Sequence, residues 1–154
     1  MMLSEMTIRE SVPSDYNGIA ALLRQLGHET AAVLILEKIE TLRRSPMDKI
    51  LVATVQGDVV GTISLHAVPL FHVDGYLGRV TCLIVDKRHR ACGIGSKLIA
   101  AAERWFELIG CVKLELTSGD QQQNAHRFYE RHGFSRDGQR LSKRLRFERQ
   151  FVAE

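Results

Sequence analysis

The sequence predicts an α/β domain in which a mixed β-sheet carries helices on its faces. β-rich runs alternate with amphipathic helical patterns in the order β, α, α, β, β, β, α, β, α, β, β. The most apolar run, GRVTCLIVD at residues 78–86, is typical of a strand near the centre of a sheet. With 154 residues, of which 45% are hydrophobic and 25% charged, the chain is expected to form one globular domain over residues 1–154.

The first half of the chain predicts a short strand, two helices and a hairpin. The first helix follows the N-cap candidates Ser14 and Asp15 and ends at Gly27, and the second has Pro46 just beyond its end. The period then changes from helical to alternating, and the turn of the hairpin contains Gly57 between polar residues. The predicted elements are strand 7–9, helices 15–26 and 29–43, and two strands within residues 49–68.

The second half predicts alternating strands and helices after a loop. Helix Ser96–Leu108 carries apolar residues at helical spacing and ends at Gly110, and a shorter helix ends at Gly133. The other predicted elements are the loop 69–76, strands 78–86 and 111–118, helix 122–132, and the final strands FSRD (134–137) and LSKRLRF (141–147). Sheets of this kind bind ligands at the carboxyl ends of strands that separate from one another.

A glycine-rich turn joins the most apolar strand to helix 96–108. It reads Arg-Ala-Cys-Gly-Ile-Gly at residues 90–95. A strand that feeds such a turn into a helix directs several backbone N–H groups, and the positive end of the helix dipole, at one point. The turn therefore predicts a binding site for a phosphate-bearing ligand.

The spacing of this turn excludes the two commonest phosphate-binding motifs. The dinucleotide fingerprint requires a third glycine where this chain has Leu98, and the nucleoside-triphosphate loop ends in Gly-Lys-Ser/Thr, whereas the order here is Gly95, Ser96, Lys97. The pattern [Arg or Gln]-x-x-Gly-x-[Gly or Ala] arises by chance in roughly one chain in seven of this length. A tight turn that binds no ligand is therefore the alternative explanation of this motif taken alone.

Charge, cysteine content and hydropathy limit the classes of protein. The net charge of +3 is mild, and the three cysteines, Cys82, Cys92 and Cys111, form no Cys-x-x-Cys pair, so neither a disulfide framework nor a zinc site is indicated. The first residues lack the pattern of a signal peptide, and no apolar run approaches the ~20 residues that span a bilayer. We expect a cytoplasmic protein with reduced thiols, without a metal and without a membrane partner.

Two segments together resemble the acetyl-coenzyme A dependent N-acetyltransferases of the GNAT superfamily. They are VDKRHRACGIGSKLIAAAERWFELIG (85–110) and LELTSGDQQQNAHRFYERHGF (114–134). The resemblance implies a mostly antiparallel central sheet with splayed central strands and about four flanking helices. It also implies acetyl-coenzyme A (acetyl-CoA) as co-substrate, with no metal, and it leaves homodimerisation through the final strands open.

The resemblance also implies which residues hold the co-substrate. The glycine-rich turn would bind the pyrophosphate through its backbone, and the main chain beside a bulge in strand 81–86 would pair with pantetheine. The family often has Asn where this chain has Gln122, and Asn124 is shifted next to Ala125, so the contact at this place is left open between the two. The implied cofactor-binding residues are Leu83, Ile84, Val85, Arg90, Ala91, Cys92, Gly93, Ile94, Gly95, Ser96, Asn124 and Phe128.

Acyl transfer from a thioester to an amine requires a proton donor and a proton acceptor. By resemblance, Tyr129 is the general acid that protonates the departing thiolate, a role worth about 10²- to 10⁴-fold. The amine must first lose a proton, because an alkylamine with a pKa near 10.4 is less than about 0.1% neutral at pH 7. His66, His72 and Asp74 are the candidate bases or acceptor-binding groups, since their stretch of chain should overhang the acyl site.

Three functions follow from these observations. The first is an N-acetyltransferase that acetylates a primary amine of a small molecule, peptide or protein by direct attack in a ternary complex. The second keeps the acyl-CoA site but serves as a sensor or transfers a longer acyl group. The third, a nucleic-acid-binding module, is disfavoured because its basic segment alternates with acidic and apolar residues, as solvated strand faces do. That segment contains Arg140, Lys143, Arg144, Arg146 and Arg149, with Phe147 and Phe151.

Overall fold

A five-stranded sheet organises most of the chain in a computed structural model, which describes residues 5–117 and 123–146. The chain divides into two compact units, residues 1–119 and 120–154. The described part of the second unit contains helix α4 (Gln123–Arg131). The first unit contains strands β1 (Met6–Glu10), β2 (Asp48–Val55), β3 (Asp58–Pro69), β4 (Tyr76–Val85) and β5 (Cys111–Leu116), helices α1 (Tyr16–Gln25), α2 (Ala32–Arg43) and α3 (Ile94–Ile109), and short 3₁₀ turns at Pro13–Asp15 and Lys87–His89.

The sheet is mixed and mostly antiparallel, as the sequence predicted. Its strand order is β1-β2-β3-β4-β5, with three antiparallel pairs and a final parallel pair of β4 and β5. A parallel pair needs a crossover connection, which α3 provides. Pairing of β4 with β5 ends at Val80 and Leu116, although β4 continues to Val85. Within the described residues, β5 ends at this pair, so the last five residues of β4 have no partner on β5. The expected splaying of the central strands stays a prediction.

Helices cover both faces of the sheet. Ile19 of α1 and Ile39 of α2 pack with Val52 of β2. Gly61 of β3 lies under α3, where an added Cβ would be 3.1 Å from the Ile94 side chain. Gly61 pairs with the residue that follows Val52 in β2, and consecutive strand residues point to opposite faces. The pair α1 and α2 therefore covers one face of the sheet, and α3 covers the other.

Helix α3 forms because its apolar residues recur every three or four positions. It ends at Gly110, whose φ of 98° is the left-handed conformation common after helices. Trp105 and Ile109 share the apolar spacing of this helix but are only partly buried. The buried face of α3 consists of Ile94, Leu98, Ile99, Ala102 and Phe106.

Among the helices of the described residues, none is both long enough and apolar enough to span a bilayer.

Gly78 lets β4 approach β5 and α3 closely. A Cβ at this position would lie 2.6 Å from Leu114 Cδ2 and 2.8 Å from Phe106 Cδ1. We expect Gly78→Val to lower the free energy of unfolding by about 1–3 kcal/mol, because the extra volume overpacks a closed site. Urea denaturation of the variant measures this loss. Adding Leu114→Ala should recover part of it, and purely additive losses in the double variant would contradict the steric explanation.

The final strands expected at 134–137 and 141–147 are not formed in the part of the chain that the structure describes. Residues 134–146 have no regular structure, and 135–146 are exposed, while Phe147 lies outside the described residues. The alternating pattern in this segment is mostly charged, so it offers no apolar face whose burial would stabilise a strand. Phe134 instead packs locally, with its ring 5.9 Å from that of Tyr129. The strand prediction for these residues was wrong.

Candidate active site

The turn between β4 and α3 leaves the ordinary right-handed backbone at two residues. Ala91 has a φ of 61° and Gly93 a φ of 80°, both in the left-handed region. Gly93 is the N-cap of α3, which begins at Ile94, two residues before the predicted Ser96. A left-handed conformation at a non-glycine residue such as Ala91 is uncommon and marks a constrained turn. Residues 90–96 thus form a tight turn, with two left-handed residues, that leads from β4 into α3.

The N-terminus of α3 offers hydrogen-bond donors to an anion. Its first helical hydrogen bond joins the Lys97 N–H to the Gly93 carbonyl at 3.1 Å, so the N–H groups of Ile94 and Gly95 precede the helical ladder. The N-cap glycine has no side chain that could cap these donors. Ile94 as a whole is 1% exposed, whereas Gly95 and Ser96 are partly exposed, so the accessible part of this helix N-terminus lies at these two residues. With the helix dipole added, this turn, including Ser96, fits a diphosphate.

The buried carboxylate of Asp86 binds the residues at the start of this turn. Asp86 accepts hydrogen bonds from the Arg88 N–H at 3.0 Å and from the Gln25 amide at 3.4 Å, and its own N–H donates to the Val60 carbonyl at 2.8 Å. The Arg88 backbone N–H, against the opposing effect of burial, holds the pKa of Asp86 below its usual value. Gln25 also accepts from the Lys87 N–H at 3.1 Å, so α1 is tied to the start of the turn.

The C-terminal half of β4 pairs with a neighbouring strand on one edge only, within the described residues. Leu83, Ile84 and Val85 pair with β3 on one side. On the other side, within residues 5–117 and 123–146, pairing stops at Val80. Ile84 as a whole is 2% exposed, whereas Leu83 and Val85 on either side of it are partly exposed. The main-chain role implied for Leu83 and Val85 thus has a suitable strand edge.

A β-bulge lies at Thr81, where the pairing of β4 with β5 has just ended. Ser64 pairs with Cys82 and Leu65 with Val80, so Thr81 is an additional residue that the register skips. A bulge bends its strand and redirects the bulged residue. Thr81 is exposed, in contrast to the buried Val80 beside it. The sequence predicted a bulge within residues 81–86, and the structure places it at the first of them.

The bulged residue belongs to a hydrogen-bonded cluster, hereafter the relay cluster, of Ser45, Asp48, Ser64, His66 and Thr81. The Ser45 hydroxyl donates to Asp48 Oδ2 at 2.6 Å, and His66 Nδ1 lies 2.6 Å from Asp48 Oδ1. His66 Nε2 lies 2.8 Å from the Thr81 hydroxyl, which also contacts the Ser64 hydroxyl at 2.5 Å. A continuous chain of hydrogen bonds thus runs from a carboxylate through an imidazole to two hydroxyl groups.

The charge of Asp48 determines the direction of these hydrogen bonds. Burial raises the pKa of Asp48, but hydrogen bonds from Ser45 and His66 and the charge interaction with His66 outweigh it, so the pKa is lowered overall. An ionised carboxylate only accepts hydrogen bonds, and therefore His66 Nδ1 carries the proton. In the neutral imidazole, Nε2 is then the acceptor, and the Thr81 hydroxyl donates to it.

The relay cluster is part of a row of ionisable residues that crosses four strands. Asp48, His66, Arg79 and Glu115 are successive cross-strand partners from β2 to β5. Arg79 Nη1 lies 3.3 Å from Glu115 Oε2. Along β2, Asp48 has the same strand parity as Val52, so the row lies on the face covered by α1 and α2. This row brings acid, base and cation together near the end of the β4–β5 pairing.

The other two candidates in the acceptor region lie apart from the relay cluster. His72 and Asp74 are exposed in the bend between β3 and β4. His66 has a side chain 26% exposed and a direct hydrogen bond to a carboxylate. Of the three residues that the sequence proposed, the structure thus gives only His66 an orienting partner among the contacts described here.

Helix α4 carries the remaining predicted residues, in the second unit. Tyr129 is partly buried, and its ring contacts that of Phe128 at 5.3 Å between centroids in an edge-to-face arrangement. Phe128 also lies 4.7 Å from the His132 ring. Asn124 is exposed near the start of α4, and Gln122 lies outside the described residues. Tyr129 thus packs against Phe128 and Phe134 within the second unit.

Cys92 lies within the glycine-rich turn. Cys92 is partly buried in the turn, with Sγ 3.6 Å from the Arg90 carbonyl oxygen. Within the described ranges, no group of three or more His, Cys, Asp and Glu side chains is arranged to hold a metal ion.

Sequence reasoning missed Asp48, Ser64 and Thr81. Ser64 and His66 alternate with buried residues along β3, which was a signal for a polar stripe on one face. Asp48 precedes His66 by 18 residues, and only the β2–β3 register places them opposite each other. The signal at Thr81 was weaker, because nothing in the sequence marks which residue of β4 is bulged.

Comparison with known proteins identifies a family and several similar structures. The sequence pattern of the acetyltransferase (GNAT) family matches residues 18–134. An aminoalkylphosphonate N-acetyltransferase of Salmonella typhimurium is 37% identical over 89 residues. That match covers 58% of this chain and 58% of the relative, so this chain spans little more than half the length of the curated relative it matches.

Solved structures share the fold at lower sequence identity. Glucosamine-6-phosphate N-acetyltransferase from Arabidopsis thaliana is similar with a TM-score of 0.80 and 24% identity, over 92% of this chain and 99% of that chain. An aminoglycoside N-acetyltransferase in complex with CoA has a TM-score of 0.80 and 19% identity, over 92% of this chain and 95% of that chain. These two likenesses show that the fold is one shared with known N-acetyltransferases.

Proposed function

Because this chain belongs to the GNAT acetyltransferase family, we propose that it transfers the acetyl group of acetyl-CoA directly to a primary amine of a small molecule. The turn between β4 and α3 is the observation that carries the proposal. Its left-handed residues Ala91 and Gly93 lead into a helix N-terminus whose first donors face a potential anion. A diphosphate held there would place a thioester along the free edge of β4.

The chain's residues divide the binding of acetyl-CoA between backbone and side chains. The turn Arg90–Ser96 would hold the diphosphate, and the main chain of Leu83–Val85 would align the pantetheine. From the second unit, Asn124 and Phe128 are the contacts that the family resemblance implies. When bound, acetyl-CoA supplies an acetyl group already activated as a thioester.

The β-bulge at Thr81 redirects the backbone beside the end of the β4–β5 pairing. A backbone N–H that faces the oxyanion formed during acetyl transfer is typically worth roughly 3 kcal/mol to the reaction.

Proton donation to the leaving sulfur is assigned to Tyr129. A phenol hydroxyl is a proton donor and can supply the proton that the sulfur needs. The FYERHGF context of Tyr129 resembles that of the general acid in the family. No metal enters this sequence of steps, since the thioester is already activated.

Relatives suggest the acceptor class. The curated relative is named for acetylation of aminoalkylphosphonates, and structural neighbours are named for aminoglycosides and glucosamine 6-phosphate. All are small molecules with a primary amine. Aminoalkylphosphonates are the first acceptors to examine, because that relative has 37% identity to this chain.

Binding of the co-substrate is the first test. At 100 times its Kd, acetyl-CoA should stabilise the protein by about 2.7 kcal/mol, which corresponds to a rise in Tm of roughly 5 to 10 °C. A thermal melt with and without the ligand measures this. The control is adenosine, which lacks the diphosphate and should shift Tm much less. No shift at millimolar acetyl-CoA would contradict the proposal.

Turnover with a panel of amines is the second test. The panel holds aminoalkylphosphonates, aminoglycosides, polyamines and amino acids, and free thiol release from acetyl-CoA reports transfer. We expect at least one small amine to be acetylated, with the product identified by a mass increase of one acetyl group. Stabilisation by acetyl-CoA without thiol release from any amine would favour an acyl-CoA sensor instead.

A further inference from the structure

We propose that His66, oriented by Asp48, accepts the proton of the acceptor ammonium through the hydroxyl of Thr81. This inference rests on the proposed N-acetyltransferase function and names the proton path of the same site. Asp48 acts through His66 and is a positioning residue. Three observations carry the proposal: the direction of the hydrogen bonds, the place of Thr81 in the sheet, and the charges around His66.

The hydrogen bonds leave a basic nitrogen in the required place. With Asp48 ionised, His66 Nδ1–H donates to Oδ1 over 2.6 Å, and Nε2 presents its lone pair to the Thr81 hydroxyl at 2.8 Å. The Thr81 oxygen in turn can accept from the Ser64 hydroxyl. Only an imidazole with a free Nε2 lone pair can take a proton through this chain.

Thr81 connects this chain to the expected position of the acetyl group. It is exposed, and it is the bulged residue next to the point where β4 and β5 stop pairing. The thioester is expected along the edge of Leu83–Val85, two residues further along β4. An amine approaching from the face of α1 and α2 would therefore meet the Thr81 hydroxyl beside the carbonyl that it attacks.

The proton transfer balances in one concerted step. An N–H bond of the ammonium breaks and an O–H bond forms at Thr81, while the original Thr81 proton moves to His66 Nε2. The amine is then neutral, Thr81 is unchanged, and His66 is an imidazolium. When the C–N bond forms and the C–S bond breaks, Tyr129 protonates the thiolate, and the second proton lost by the attacking nitrogen restores Tyr129. His66 then returns its proton to solvent, so acetylation releases one proton overall.

The charges facing His66 suit a group that gains and loses a proton. Asp48 on β2 stabilises the imidazolium at 2.6 Å. Arg79, the cross-strand partner on β4, opposes it, but Arg79 is itself paired with Glu115 on β5 at 3.3 Å. Glu115 also lies 3.6 Å from Lys113 Nζ, so it offsets the charge of Arg79 only in part. The imidazolium is thus stabilised by a direct contact and opposed by a more distant cation whose charge is partly offset. A histidine that is charged in only part of the cycle needs this balance.

The experiment compares His66→Gln, Asp48→Asn and Thr81→Val with the unaltered enzyme. We expect His66→Gln to lower kcat about 100-fold with no change in the Kd of acetyl-CoA, and to remove the limb over which kcat/KM falls on acidification. Asp48→Asn should cost about 10- to 100-fold, by analogy with partners that orient metal-bound histidines. The matched control is Thr7→Val, which removes a comparable 2.6 Å hydroxyl contact, that with Thr54, in β1.

An acceptor amine that is neutral at the assay pH separates proton transfer from a structural role. For such an amine no base is needed, so the deficit of His66→Gln should shrink at least 10-fold relative to an ordinary alkylamine. A deficit that is equal for both amines, or a His66→Gln variant that keeps the acidic limb, would overturn the proposal. Absence of acetylation by the unaltered enzyme would instead refute the proposed function.

A spectroscopic measurement tests the hydrogen-bond direction without any turnover. Nitrogen-15 NMR of His66 should show the proton on Nδ1 in the neutral imidazole, and Asp48→Asn should weaken that preference. Protonation of Nε2 in the unaltered neutral imidazole would overturn the proposal. This measurement therefore remains decisive even where no acceptor amine has been identified.

Discussion

Phenylalanine in place of Tyr129 should lower kcat by about 100-fold or more while leaving the Kd of acetyl-CoA little changed. The expected loss follows from removing the one proton donor assigned to the leaving sulfur, a contribution of about 10²- to 10⁴-fold. The ring itself is retained, and with it the edge-to-face contacts with Phe128 and Phe134. Steady-state kinetics with calorimetric measurement of cofactor binding separates the two effects.

The matched control for this change is Tyr76→Phe. Tyr76 is half-buried at the start of β4, at the opposite end of the strand from the glycine-rich turn. We expect Tyr76→Phe, which also removes one phenol hydroxyl, to leave kcat nearly unchanged. If Tyr129→Phe retained normal kcat over the whole pH range, the assignment of the general acid would be wrong.

Gly93→Val should weaken acetyl-CoA binding at least about 10-fold. Gly93 has a φ of 80°, a conformation that costs an L-residue roughly 1–2 kcal/mol and a β-branched residue more. The turn would relieve this strain by changing its shape, which would redirect the N–H groups of Ile94 and Gly95. A loss of 1.4 kcal/mol in binding is already tenfold in Kd, and isothermal calorimetry measures it directly.

Gly110→Val controls for backbone strain without disturbing the turn. Gly110 caps the other end of α3 with a φ of 98°, and an added Cβ would meet only Tyr76 ring atoms at 3.8 and 4.0 Å. We expect it to lower the free energy of unfolding about as much as Gly93→Val but to leave the Kd of acetyl-CoA unchanged. Equal weakening of binding by both variants would show that the turn has no special role.

Local patterns explain why most of the fold was predictable. The periodic apolar residues of α3 and the turn residues around Gly57 act between neighbours in the chain, so the sequence contains the whole signal. Element boundaries were less accurate: α2 begins at Ala32 rather than Glu29, and α3 begins two residues early. Helix ends depend on capping contacts that compete closely with one another.

The final strands show where a local pattern is insufficient. Residues 141–146 alternate in a β-like way, yet they are exposed and carry no regular structure. A strand is stabilised by its neighbours across the sheet, and a charged segment without an apolar face gains little from pairing. Propensity alone therefore could not decide the state of this segment.

Taken alone, the sequence determined the element order as far as α4, the mixed α/β class, the glycine-rich turn and the family resemblance, because each depends on residues close together in the chain. Only the tertiary structure decided that Asp48, His66, Arg79 and Glu115 form one row, since they come from four strands whose register sets their alignment. It also decided that Thr81 is the bulged residue. Pairing between distant strands is a property of the assembled sheet, and so is the proton path that we infer from it.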